Sequence, residues 1–169
     1  MCLLGACRND AAPTIHVVLG PTPNDEASFA PRSALAELIE ISPTETALLL
    51  NLTSGERSCD ALAAPTPDDV GVSLRLTLPG GAKLAPGSFA MAQAAPSPDQ
   101  PSLLATVRLR GSRHELLPGG ELSLTQIDPS PQGVVEGLLK LEFTGDAEHP
   151  ATRVSGRFLA HFCRISLLR

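Results

Sequence analysis

Val135-Glu136-Gly137-Leu138-Leu139-Lys140-Leu141-Glu142-Phe143 is followed by its echo, Val154-Ser155-Gly156-Arg157-Phe158-Leu159-Ala160-His161-Phe162. In both, an apolar residue or glycine recurs at every second position, the period of a pleated strand with one buried face. The echo reads as hairpin symmetry rather than a repeat. A turn centred on Glu148-His149 sets Phe143 against Val154, Leu141 against Gly156, Leu139 against Phe158 and Gly137 against Ala160. Large residues then face small ones across the pair, as interdigitated packing requires. Glycines on the inner face mark curvature or the close approach of another backbone. On the outer face Glu142 falls diagonally near Arg153 and Arg157, while Cys163 is out of phase, just past Phe162 at the strand end.

The same period runs through most of the chain. Val72, Leu74, Leu76 and Leu78 alternate with Ser73, Arg75 and Thr77; Leu103, Ala105, Val107 and Leu109 alternate with Thr106, Arg108 and Arg110. Ile15, Val17 and Leu19 make a shorter strand, and Leu48, Leu50 and Leu52 another. Breakers separate them, among them Pro21-Thr22-Pro23-Asn24, Pro65-Thr66-Pro67, Pro79-Gly80-Gly81, Pro118-Gly119-Gly120 and Pro129-Ser130-Pro131. Short alternating strands with such regular punctuation predict an all-β fold, an antiparallel β-sandwich of roughly eight or nine strands. Ser33 to Ile41 also offers helical spacing through Leu35, Leu38 and Ile39, but Ser42-Pro43 stops it, and a strand pair around Ser42 to Glu45 is expected. Arg57 to Ala64, capped by Ser54 or Ser58, is expected to form one short helix near Cys59.

Composition bounds the rest. A chain of 169 residues, 43% hydrophobic, buries one substantial core. Residues 14–169 are therefore expected to form a single domain. A net charge of −5, with thirteen scattered cationic residues, argues against nucleic acid as a partner. Tyr and Trp are absent. Ligand sites that stack sugars or bases on amphipathic rings lack their usual material here. No run reaches the ~18 apolar residues of a membrane-spanning helix.

Leu4-Gly5-Ala6-Cys7 resembles a bacterial lipobox, with Cys7 as the lipidated first residue of the mature protein. Residues 1–13 then read as a signal remnant and tether. Only Met1 to Ala6 precede Cys7, short of the roughly 7–15 apolar residues of a secretory signal. The reading therefore expects more signal upstream; a chance match in an Ala/Leu/Gly-rich chain is the alternative. With Cys2 and Cys7 in the remnant, Cys59 and Cys163 are left. In an exported domain they read as one disulfide; two buried free thiols in a cytosolic protein are the alternative.

Chemistry-bearing motifs are sparse. His16, His114, His149 and His161 occur at no metal-ligand spacing, with His16 and His161 outward on strands and the other two in turns. No metal or other cofactor is expected. Gly111-Ser112-Arg113-His114-Glu115 gathers a hydroxyl, a base and a carboxylate, but neighbours on one turn do not converge as a triad does, and a polar hairpin loop is expected. Asn24-Asp25-Glu26 and Asp68-Asp69 lack the spaced oxygens of a Ca²⁺ loop and read as solubilising turns.

From Ser33 onward the chain resembles a group of predicted secreted bacterial lipoproteins of unknown function. The matching residues are Ala36-Glu37-Leu38 before Ala47-Leu48-Leu49-Leu50, then Ser58-Cys59-Asp60-Ala61-Leu62 and Leu84-Ala85-Pro86-Gly87-Ser88-Phe89. Gly120-Glu121-Leu122-Ser123-Leu124-Thr125 follows, then the Gly137 and Gly156-Arg157-Phe158 strands and Cys163. The resemblance implies a β-rich domain closed by a Cys59–Cys163 bridge and carries no catalytic residue or ligand. Arg164 to Arg169 runs past the cysteine at which such proteins tend to end. The expected function is a non-catalytic, lipid-anchored cell-envelope domain that binds or scaffolds, its partners a membrane surface and a protein or small molecule. The alternatives are a secreted or soluble β-sandwich interaction module (a small-ligand carrier or inhibitor) and, third, a hydrolase built on His114 or His161.

Overall fold

The computed structural model describes residues 12–19, 26–59, 69–80, 82–90, 99–109, 112–116, 119–143 and 151–166. Their strands are β1 (Ile15–Leu19), β2 (Glu26–Phe29), β3 (Ser33–Ser42), β4 (Glu45–Thr53), β5 (Gly71–Pro79) and β6 (Gly87–Ala90). β7 (Ser102–Leu109), β8 (Ser112–Leu116), β9 (Gly120–Ile127), β10 (Val134–Phe143) and β11 (Thr152–Ser166) complete the set. All eleven join in one sheet, ordered β6-β9-β10-β11-β3-β4-β5-β7-β8, with β1 on β11 and β2 on β1.

β11, 15 residues long, is the spine of this sheet. β10 lies along one edge of it, from Phe143 opposite Thr152 to Val134 opposite His161. The other edge is shared: β1 covers Thr152 to Gly156, and β3 takes over from His161 to Ser166. The β11–β3 pair is parallel, and the remaining pairs are antiparallel.

The expected antiparallel sandwich of eight or nine strands is thus corrected to a mixed sheet of eleven, curled into a half-barrel. Alternation reports a buried face on each strand but not whether facing strands belong to two sheets or to one that bends back. Bulges provide for such bending. One lies in β11, where Cys163 is extra between Phe162, opposite Ala36, and Arg164, opposite Glu37. Another lies in β9, where Thr125 is extra between Leu124, opposite Gly137, and Gln126, opposite Glu136. No helix occurs among the described residues: Arg57 to Cys59 are irregular, and the rest of the expected helical segment lies outside them. The strand pair around Ser42 to Glu45 is present as β3 and β4.

The C-terminal hairpin forms with its expected faces but two residues from the expected register. Gly137 sits opposite Phe158, Leu139 opposite Gly156 and Leu141 opposite Val154. Large still faces small, and more consistently, because Phe158 lies over a glycine instead of meeting Leu139. A Cβ on Gly137 would stand 2.3 Å from the Ser123 carbonyl oxygen and 2.9 Å from Phe158 Cζ. Thr152, 1% exposed, closes the buried face at the turn end. On the outer face Glu142 lies directly opposite Arg153, and Arg157 bonds Glu136 at 2.7 Å rather than Glu142.

The concave face is filled by one cluster. Ile15 and Val17 come from β1, Leu48, Leu50 and Leu52 from β4, Val72, Leu74, Leu76 and Leu78 from β5, and Leu122 from β9, with Val154, Phe158 and Phe162 from β11. Phe158 is fully buried; sequestering a ring of that size stabilises by about 1.5–3 kcal/mol.

Candidate functional site

The most elaborate polar construction lies where the chain leaves β4. Residues 54–59 fold back against the start of β3. The Arg32 N–H donates to the Thr53 carbonyl, and Ser54 and Val70 bond each other, N–H to carbonyl at 2.9 Å and N–H to Oγ at 3.0 Å. Ser33 Oγ accepts from the Arg57 N–H at 2.5 Å. The Arg57 guanidinium pairs with the Asp69 carboxylate, each side chain only 11% exposed. A buried ion pair with such surroundings fixes geometry more than it adds net stability.

This construction delivers Cys59 to Cys163. Ser33, Arg57 and Asp69 position the loop, and the bulge in β11 supplies the residue it meets: Cys163 has no register partner on β3. The two residues are disulfide-linked, with Cα atoms 5.0 Å apart. Cys59 is exposed and Cys163 half-buried. Chemically the site can staple the loop to the sheet.

Beside it, one row of the outer face crosses five strands: Arg164 of β11, Glu37 of β3, Leu49 of β4, Arg75 of β5 and Leu104 of β7 lie in successive register. Glu37 is only 6% exposed, and its Oε1 has no hydrogen-bond partner. Arg75 turns to Glu45 at 3.8 Å. Farther along, Glu121 of β9 accepts from Ser123 Oγ at 3.1 Å. Hydrogen bonds from Ser88 and Ser123, with the charge of Lys140, hold its carboxyl below the usual carboxylate range against a small opposing desolvation.

Of the residues singled out in the sequence, Cys59 and Cys163 are brought together, while Cys7 lies outside the described residues. His16 and His161 are exposed on the outer face, as expected; His16 Nδ1 lies 2.6 Å from Ser28 Oγ. His114 is not in a turn: Ser112–Leu116 is strand β8, with His114 opposite Val107, so the expected polar loop is corrected to a paired edge strand. His149, Asn24, Asp25 and Asp68 lie outside the described residues. Asp69 is no solubilising turn residue, because it is buried against Arg57. Among the described residues no group of three or more His, Cys, Asp or Glu is placed to hold a metal ion.

Sequence reasoning missed the Arg57–Asp69 pair, the burial of Glu37 and the bulge at Cys163. The out-of-phase position of Cys163 was the signal for the bulge; nothing local marks the ion pair, whose partners are brought together by the β4–β5 pairing. Compared with known proteins, the chain matches no family model, no curated sequence and no solved structure.

Proposed function

We propose that this protein is a lipid-anchored domain of the bacterial cell envelope, tethered through Cys7, that binds or scaffolds rather than catalyses. The observation that carries the reading is the Cys59–Cys163 disulfide, of which Cys59 is an exposed residue. An accessible disulfide persists in an oxidising compartment and is reduced in the cytosol. The bridge supports export, and the lipobox-like Leu4-Gly5-Ala6-Cys7 would then supply the anchor. The resemblance to secreted bacterial lipoproteins agrees with both. The all-β sheet, its concave face filled by side chains, suits a rigid body that presents its edges to a protein or small molecule.

The test is expression of the full-length gene in its host, followed by fractionation and mass spectrometry of the N-terminal peptide. A diacylglyceryl-modified Cys7 in the membrane fraction is the expected result. An unmodified Cys7 in soluble protein overturns the anchor, and free Cys59 and Cys163 thiols in protein taken directly from cells overturn export.

A further inference from the structure

We propose that the outer face of β10 and β11 rests on the phospholipid surface that holds the protein's own anchor; this deepens the anchored reading and depends on it. The tether limits how far the sheet can stand from the anchor. β1 begins at Ile15, opposite Gly156, and Thr14 lies against the same glycine, its carbonyl oxygen 2.0 Å from where a Cβ would stand. The chain upstream of Thr14 therefore joins the sheet beside Gly156, in the N-terminal part of β11. Ile15 lies eight residue steps beyond Cys7, a reach of at most about 29 Å when fully extended. A lipid on Cys7 thus keeps the N-terminal part of β11, where Gly156 lies, within that distance of the bilayer.

That part of the sheet carries a matching surface. Leu138 is 45% exposed and Leu159 37% exposed. They are diagonal neighbours, because Leu138 faces Arg157 and Leu159 faces Glu136. Around them stand the exposed side chains of Lys140, Arg153, Arg157 and Arg164, whose apolar stems lie along a lipid surface while their charges reach phosphates. Carboxylates share the face: Glu136 bonds Arg157, Glu142 faces Arg153 and Glu121 faces Lys140. Net charge is therefore nearly balanced here, and the contact rests on the two leucines and the tether rather than on electrostatic attraction. Among the described residues the other exposed large apolar side chains, Ile41 and Leu104, lie on β3 and β7 and are not neighbours in the sheet. A weak contact suffices, since tethering converts it to an intramolecular event at high effective concentration.

The test places the anchor chemically, so that its outcome does not depend on whether the host lipidates Cys7. The full chain with Cys2→Ser and the disulfide intact is coupled through Cys7 to maleimide-lipid vesicles of phosphatidylethanolamine and phosphatidylglycerol, then footprinted with hydroxyl radicals. Oxidation of Leu138 and Leu159 is expected to fall by about threefold or more relative to uncoupled protein, with Ile41 and Leu104 unchanged. His16 and His161, oxidisable and on the same face, report proximity. In the Leu138→Ser/Leu159→Ser protein their protection is expected to disappear. Equal protection of Leu104 overturns the proposal, as does protection of the histidines that survives the double substitution, which would be shading by the tether alone. Protection of Leu138 and Leu159 in protein mixed with an envelope protein extract, but not on vesicles, assigns the face to a protein partner and also overturns it.

Discussion

Cys59 and Cys163 lie 104 residues apart in sequence and 5.0 Å apart at their Cα atoms, joining an irregular loop to a bulge in the longest strand. The link closes most of the domain into one covalent loop, which restricts the unfolded chain far more than the folded one. Replacing both cysteines by serine is expected to cost about 2–4 kcal/mol, read as a lower urea midpoint with a steeper slope, because the unfolded chain without the link is more expanded. Loss should be largest locally: amide exchange should accelerate in residues 54–59 and 161–166 before it does in β4 or β5. A double-serine protein as stable as the parent would show that Ser33, Arg57 and Asp69 hold the loop unaided.

Arg57 and Asp69 supply the second restraint on that loop. With both side chains 11% exposed, removing one partner strands the other charge away from water. Asp69→Ala is expected to destabilise by roughly 3 kcal/mol. The pair formed by Arg32 and Glu56, at 4.0 Å with side chains 69% and 84% exposed, is the contrast. Glu56→Ala should cost about 0.5 kcal/mol or less. Equilibrium unfolding of the two variants, compared under one set of conditions, measures the difference.

Strands were legible because alternation is a local property: Val72 to Leu78 and Leu103 to Val107 announce their buried faces residue by residue. The β3–β4 hairpin was legible through Ser42-Pro43, which stops the competing helical pattern of Leu35, Leu38 and Ile39. Layering was not, because the decision to curl one sheet is made by β11, whose shared edge and parallel partner leave no mark in its own sequence. The hairpin register moved by two residues for a physical reason that the alternation cannot express: Gly137 and Phe158 fit each other, and both registers keep the same face buried. At the candidate site the cysteines were legible as a pair, whereas Asp69 read as a surface residue until its cation was brought to it by tertiary pairing.

Glu37 is the one buried carboxylate in the row from Arg164 to Leu104, and its Oε1 has no hydrogen bond. An ionised oxygen shielded from water without a donor is costly, and a neutral amide of the same shape costs less. Glu37→Gln is therefore expected to leave stability unchanged or to raise it by about 1 kcal/mol, seen as a higher Tm. A fall of several degrees would mean that the carboxylate's charge itself is needed in that row. Glu37→Leu tests the same point without adding an amide donor.

Gly156 sits at φ +149°, with Ile15 on one side and Leu139 on the other. A Cβ there would lie 2.0 Å from the Thr14 carbonyl oxygen and 3.0 Å from Ile15 Cα. Both obstacles are backbone, so no side chain can turn away to relieve them. Gly156→Ala is expected to destabilise by about 3 kcal/mol or more, through strain in the left-handed region and displacement of β1. The readout is specific: exchange protection should fall in residues 15–19 and persist in β4 and β5. Gly87→Ala, where a Cβ meets nothing within 4 Å, is the control and should be close to neutral.

Glu121 gives the outer face its pH dependence. Its carboxylate is favoured by hydrogen bonds from Ser88 and Ser123, with a smaller contribution from the charge of Lys140. A carboxyl whose folded pKa lies below its unfolded value contributes stability that is present above the unfolded value and lost as pH falls through the folded one. The β6–β9 edge, where Ser88 faces Ser123 and Ala90 faces Glu121, should therefore loosen on acidification. The loss should be complete only below the usual carboxylate range. In a side-chain NMR titration, Glu121 is expected to titrate below the ordinary carboxylate range in the parent. Ser88→Ala should move its midpoint upward more than Lys140→Gln does, because the hydrogen bond outweighs the exposed charge. A midpoint that follows Lys140 instead, and shifts with added salt, would assign the effect to charge pairing across β9 and β10.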